Sequence, residues 1–162
     1  MGHKAFEPIF KEMGFPTGKT PMAGAVVYSI ARTYSLLVRE LEQVYARFGL
    51  SAPSYNLLML LKHGEQSEAC SQREIGSRLV VSASDMTGLI DRLEKRGLVK
   101  RTPGHDRRCK LITITSAGSK LLDHVWPHHE DVINRVTSHL SHRHAASLTE
   151  ALTSVRQAAT GK

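Results

Sequence analysis

Ser82-Ala-Ser-Asp-Met-Thr-Gly-Leu-Ile-Asp-Arg-Leu-Glu-Lys-Arg-Gly97 is the stretch that decides the fold. At about 100° per residue, Met86, Leu89, Ile90 and Leu93 gather on one side of a helix. The opposite side carries Ser84, Thr87, Gly88, Asp91, Arg92 and Lys95. Ser82 is placed to open this helix, Asp85 stands three residues on in a capping-box-like position, and Gly97 supplies the stop. Upstream, Ser71-Gln-Arg-Glu74 has the spacing of a capping box and opens a short helix through Ile75 and Leu79. Almost no linker separates Leu79 from Ser82, so the two helices must cross sharply. That is helix-turn-helix geometry, in which the second helix lies in a DNA major groove.

Downstream, Leu98–Thr102 and the alternating run Lys110–Thr115 predict two short strands, with Pro103-Gly104 in the turn region between them. The hairpin tip reads Pro103-Gly-His-Asp-Arg-Arg108 and is flanked by Lys100, Arg101 and Lys110. A basic tip suits the minor groove, whose negative potential attracts arginine. Asp106 suits the task of holding an arginine side chain in a fixed direction. The expected DNA contacts are therefore Ser71, Arg73, Ser82, Ser84, Thr87, Gly88, Arg92, Lys95, Arg101, Asp106, Arg107, Arg108 and Lys110. Small hydroxyls approach base edges, Gly88 permits close approach of the backbone, and Arg92 and Lys95 lie where phosphates would be. Asp91 would repel DNA unless a nearby arginine pairs with it.

Charge is concentrated in the same place. The formal net charge is +7, yet residues 71–110 alone hold ten basic and five acidic side chains. A local basic excess suits a polyanion, because neutralised phosphates release condensed counterions.

The flanks read as helices. Residues 1–21 read as an irregular arm with room for a short helical turn, punctuated by Pro8, Gly14, Pro16, Gly18 and Pro21. Val27, Ile30, Tyr34, Leu37, Leu41, Val44 and Phe48 then alternate at spacings of three and four, a heptad seam that needs a covering surface. Gly49 stops that helix, and Ser51 with Pro53 opens the next, through Lys62. A helix from Ser116 is expected to kink or break at Pro127. Serine-rich breaks near 138–141 precede a last helix with Leu148, Leu152 and Val155.

Taken together, Ser82 to Arg101, Asp106-Arg-Arg108 and Leu111-Ile-Thr-Ile-Thr-Ser-Ala-Gly118 resemble the MarR family, the multiple antibiotic resistance regulators. The likeness covers residues from about 22 to 160. It implies a mainly α fold with a small β-wing, a winged helix-turn-helix lobe at 51–115, and dimerisation helices at 22–50 and 116–162, all in a single domain of 1–162. It further implies a homodimer on a pseudo-palindromic double-stranded operator, commonly a repressor, with Arg108 in the minor groove and Asp106 orienting it. Asp85 and Gly88 stand where the family more often has Thr-like and Arg-like residues, so the operator sequence is left open.

Family likeness also implies a small aromatic or lipophilic effector between the dimer helices and the DNA-binding lobe, with Tyr34, Val38, Leu58, Lys62 and Val125 as candidate lining residues. His124 and His128, four apart, have the spacing of a metal-binding pair. Cys109 sits between Arg108 and Lys110, which would lower its pKa. A zinc- or redox-responsive regulator and a winged-helix protein-interaction module thus stay open beside the effector-responsive regulator. No cofactor is expected, and no glycine-rich phosphate loop or nucleophile elbow points to an enzyme. With two cysteines, no apolar run near the roughly 18 residues of a membrane span and no signal-peptide pattern, the expected location is cytoplasmic, with no membrane partner.

Overall fold

A computed structural model describes residues 6–16, 21–64, 69–79, 83–104 and 110–161, with Ala83 and Ser84 described by their backbone. The element order is α1 (Glu7–Glu12), α2 (Met22–Ala46), α3 (Ala52–His63), β1 (Cys70–Ser71), α4 (Gln72–Arg78), α5 (Ala83–Lys95), β2 (Val99–Pro103), β3 (Lys110–Ile114), α6 (Ser116–Thr137) and α7 (His142–Thr160). This is the expected mainly α fold with a small sheet. Two compact units make up the chain, one ending at Val125 and the other beginning at Trp126.

In the first unit the arm does contain a short helix. Phe10 of α1 meets Phe15 and Tyr28 with ring centroids 5.1–6.1 Å apart across the trio, and Glu12 accepts a hydrogen bond from Arg32 at 2.7 Å. The heptad helix ends at Ala46, so Phe48 lies beyond it in the turn. Gly49 takes φ +65°, a left-handed conformation that suits glycine, and the Arg96 guanidinium donates to the Phe48 and Gly49 carbonyls. Ser51 caps α3, accepting from the Ser54 amide, while Glu42 accepts from the Ala52 amide at 2.7 Å. Tyr45 of α2 stacks on Tyr55 of α3 with centroids 4.4 Å apart. Around them Leu57, Leu58, Leu61, Ile75, Met86, Leu89, Ile90, Leu93, Ile112 and Leu122 are fully buried. Each such side chain contributes about 1.5–3 kcal/mol relative to exposure.

The sheet has three strands in the order β1-β3-β2, all antiparallel. Val99 faces Ile114 and Pro103 faces Lys110, so the wing hairpin has the expected strands shifted by one residue at their ends. The third strand was not expected: Cys70 and Ser71 pair with Ile112 and Leu111.

In the second unit, α6 continues through Pro127 to Thr137, which corrects the expected break. Proline removes a single intrahelical donor there, and a 22-residue helix keeps enough other bonds to run on. Ser141 caps α7, and Gly161 closes it at φ +66°. None of the residues of α7 is buried.

Candidate nucleic-acid interface

Ser71 caps α4 as its spacing predicts. Its hydroxyl accepts from the Glu74 amide at 3.2 Å and donates to the Glu74 carboxylate at 2.7 Å, and the Ser71 amide donates to that carboxylate too. These bonds hold the Glu74 carboxyl below its usual pKa. The Ser71 hydroxyl is therefore spent on the helix start, while Arg73, one residue past Gln72, is exposed.

In α5, Met86, Leu89, Ile90 and Leu93 are buried, and Thr87, Arg92 and Lys95 are exposed on the other side. Between them lies Gly88, where an added Cβ would meet only the Arg92 guanidinium, at 3.4 Å. Arg92 thus folds back one turn over the glycine. The α4 residue Gln72 donates to Thr87 Oγ1 at 2.7 Å, joining the two helices on the exposed side. Sequence reading missed Gln72, since only the crossing of α4 over α5 brings it to Thr87.

Arg101 differs most from expectation. Its guanidinium donates to Asp91 at 2.5 Å and to Glu94, and its amide donates to Glu94 at 3.1 Å. Burial alone would lower its pKa, but these hydrogen bonds outweigh it and hold the group above the ordinary arginine value. With only 20% of its side chain exposed, Arg101 of β2 ties the wing to α5 and neutralises the acidic blemish at Asp91. Lys110 is exposed at the start of β3. Ser84 lies in α5, whereas Ser82, Asp106, Arg107, Arg108 and Cys109 lie outside the described residues.

The candidate effector residues do not share one accessible surface. Leu58 and Val125 are fully buried, Tyr34 is 66% exposed, and Val38 is half-buried. Lys62 donates to Asp123 at 2.5 Å and to the Ser119 carbonyl at 3.3 Å. His124 and His128 are exposed on α6, and among the described residues no group of three or more His, Cys, Asp or Glu side chains could hold a metal ion. Cys70 is buried, and burial raises its thiol pKa, which favours the thiol over the thiolate. No helix among the described residues is long and apolar enough to cross a membrane.

The comparisons with known proteins agree with this architecture. A family model described as MarR family matches residues 48–108. The HTH-type transcriptional regulator PecS of Dickeya dadantii is 31% identical over 105 residues, which cover 64% of this chain and 63% of PecS, a little under two thirds of its length. A crystal structure of CouR from Rhodococcus jostii RHA1 bound to p-coumaroyl-CoA superposes with a TM-score of 0.73 at 27% identity, covering 85% of this chain and 95% of CouR. Sco3205, a MarR family transcriptional regulator from Streptomyces coelicolor solved in complex with DNA, shares the fold with a TM-score of 0.78 at 24% identity, over 86% and 89% of the two chains. The buried-and-exposed pattern of α5, the hairpin wing and these likenesses lead to one conclusion: over its helix-turn-helix and wing this chain is similar to the MarR family of winged helix-turn-helix transcription regulators.

Proposed function

We propose that the protein is a homodimeric repressor that binds a pseudo-palindromic operator and is released by a small aromatic or lipophilic effector. The observation that carries this reading is the two-sidedness of α5: four apolar side chains anchor it in the core while Thr87, Arg92 and Lys95 face outward. A helix so held offers a fixed row of polar groups to a major groove. Residues 51–115 then form the DNA-binding lobe, and 22–50 with 116–162 the dimerisation helices. A second copy supplies the cover that the single chain lacks over Val27 and Tyr34 of α2 and over Leu148 and Val155 of α7, all exposed here. That CouR was solved with an acyl-CoA thioester supports an effector of the aromatic class for this relative.

Selection of bound fragments from genomic DNA, followed by gel-shift titration, tests the proposal. A site with two-fold symmetry is expected, with affinity falling roughly a thousandfold or more between about 50 and 200 mM salt. A flat salt response, or bound fragments without a shared symmetric sequence, would overturn it.

A further inference from the structure

We propose that Gln72 reads a base pair of the operator, with its carboxamide set in direction by Thr87. This rests on the DNA-binding reading of α4 and α5 given above. Gln72 is the first residue of α4, and Thr87 lies in the second turn of α5, fifteen residues later in the chain. Gln72 Nε2 donates to Thr87 Oγ1 at 2.7 Å on the exposed side of the helix pair.

A primary carboxamide has two N–H groups and one carbonyl oxygen. One N–H is taken by Thr87. The other N–H and Oε1 lie side by side as a donor–acceptor pair, the pattern that matches N7 and the N6 amino group of adenine in the major groove. Thr87 accepts in this bond, so it fixes which edge of the carboxamide faces outward. Without the Thr87 contact the carboxamide would rotate about its last torsion, which has no strong preference of its own. An exposed hydrogen bond of this kind adds little to folding, so its effect lies in direction rather than stability.

The neighbours leave the pair accessible. Gly88 has no side chain to shield it, and Met86 points into the core. The Ser71 hydroxyl just before Gln72 is committed to Glu74. Gln72 is the residue of this helix start that keeps a donor and an acceptor together.

The test measures binding of the wild type, Gln72→Ala, Thr87→Val and the double variant to the selected operator and to each of its single-base-pair changes. Gln72→Ala is expected to weaken operator binding about 5- to 30-fold, within the range for one bidentate contact. It should also abolish discrimination at one symmetry-related A·T pair and leave the other positions as they were. Thr87→Val should flatten the same pair to a smaller degree, and the double variant should add nothing further there, the signature of coupled residues. A uniform loss at all positions, an unchanged profile for Gln72→Ala, or Thr87→Val acting at a different base pair would overturn the proposal. A wild type with no preferred sequence would instead defeat the underlying DNA-binding reading, so the two failures are distinguishable.

Discussion

Gly118→Ala is expected to lower the free energy of unfolding by about 2 kcal/mol. A Cβ at position 118 would lie 2.2 Å from the Leu98 carbonyl oxygen and 2.9 Å from Ile114 Cγ1, both closer than real contacts allow. The carbonyl cannot swing aside, because it accepts from the Thr115 amide at 3.0 Å and from the Thr115 hydroxyl at 3.2 Å. That hydroxyl shares its one proton with the nearer Gly97 carbonyl, at 2.6 Å, and accepts from the Gly118 amide at 3.1 Å. Thr115 therefore caps α6 while holding the turn that follows α5, and Gly118 is the space that lets them meet. Overpacking costs about 1–3 kcal/mol and here falls at the upper end, while replacing glycine by alanine in a helix returns about 1 kcal/mol. Urea unfolding measures the difference. Gly76→Ala is the control: nothing lies within 4 Å of its added Cβ, so it should stabilise the protein. A Gly118→Ala protein as stable as the wild type would show that the junction yields where it is held here to be rigid.

Arg101→Ala is expected to weaken operator binding about 10- to 100-fold, or about 1.4–2.7 kcal/mol. Removing the guanidinium leaves Asp91 and Glu94 without their side-chain partner on α5, where both repel phosphates, and it leaves the residue's backbone amide as its remaining hydrogen bond to Glu94. Arg101 could act instead by touching a phosphate itself, and a triple variant separates the two. Arg101→Met with Asp91→Asn and Glu94→Gln removes all three charges together. If Arg101 works through its partners, the triple variant should regain most of the lost affinity. If it stays as weak as Arg101→Ala in the same gel-shift titration, direct contact with DNA is the correct account.

These two positions also mark where sequence reading succeeded and where it stopped. The capping box at Ser71 and Glu74, the stops at Gly49 and Gly97 and the apolar side of α5 were legible because each depends on residues a few positions apart. The strand Cys70–Ser71 was not, since a two-residue strand has no pattern of its own and exists only by pairing with Leu111 and Ile112. Pro127 does not interrupt α6, because a local rule for proline takes no account of a long helix on either side of it. Arg101 read as one more basic wing residue, and only the approach of β2 to α5 brings it to two carboxylates. Leu58 and Val125 were candidate pocket residues by family likeness alone, and in this structure both are buried in the core. The thirteen expected DNA contacts came from two helices and a hairpin tip, and the bond from Gln72 to Thr87 needed the crossing itself.

The last helix carries a consequence for handling the protein in solution. Nineteen residues long, α7 satisfies Thr149, Thr153, Ser154 and Thr160 on carbonyls of its own preceding turn, and it hides no side chain in its own chain. In proteins most helical stability comes from packing an apolar face rather than from intrinsic propensity. In the dimer proposed above, its order would come from a second molecule, so folding and association would share one equilibrium, and dilution would act on this segment as a denaturant does elsewhere.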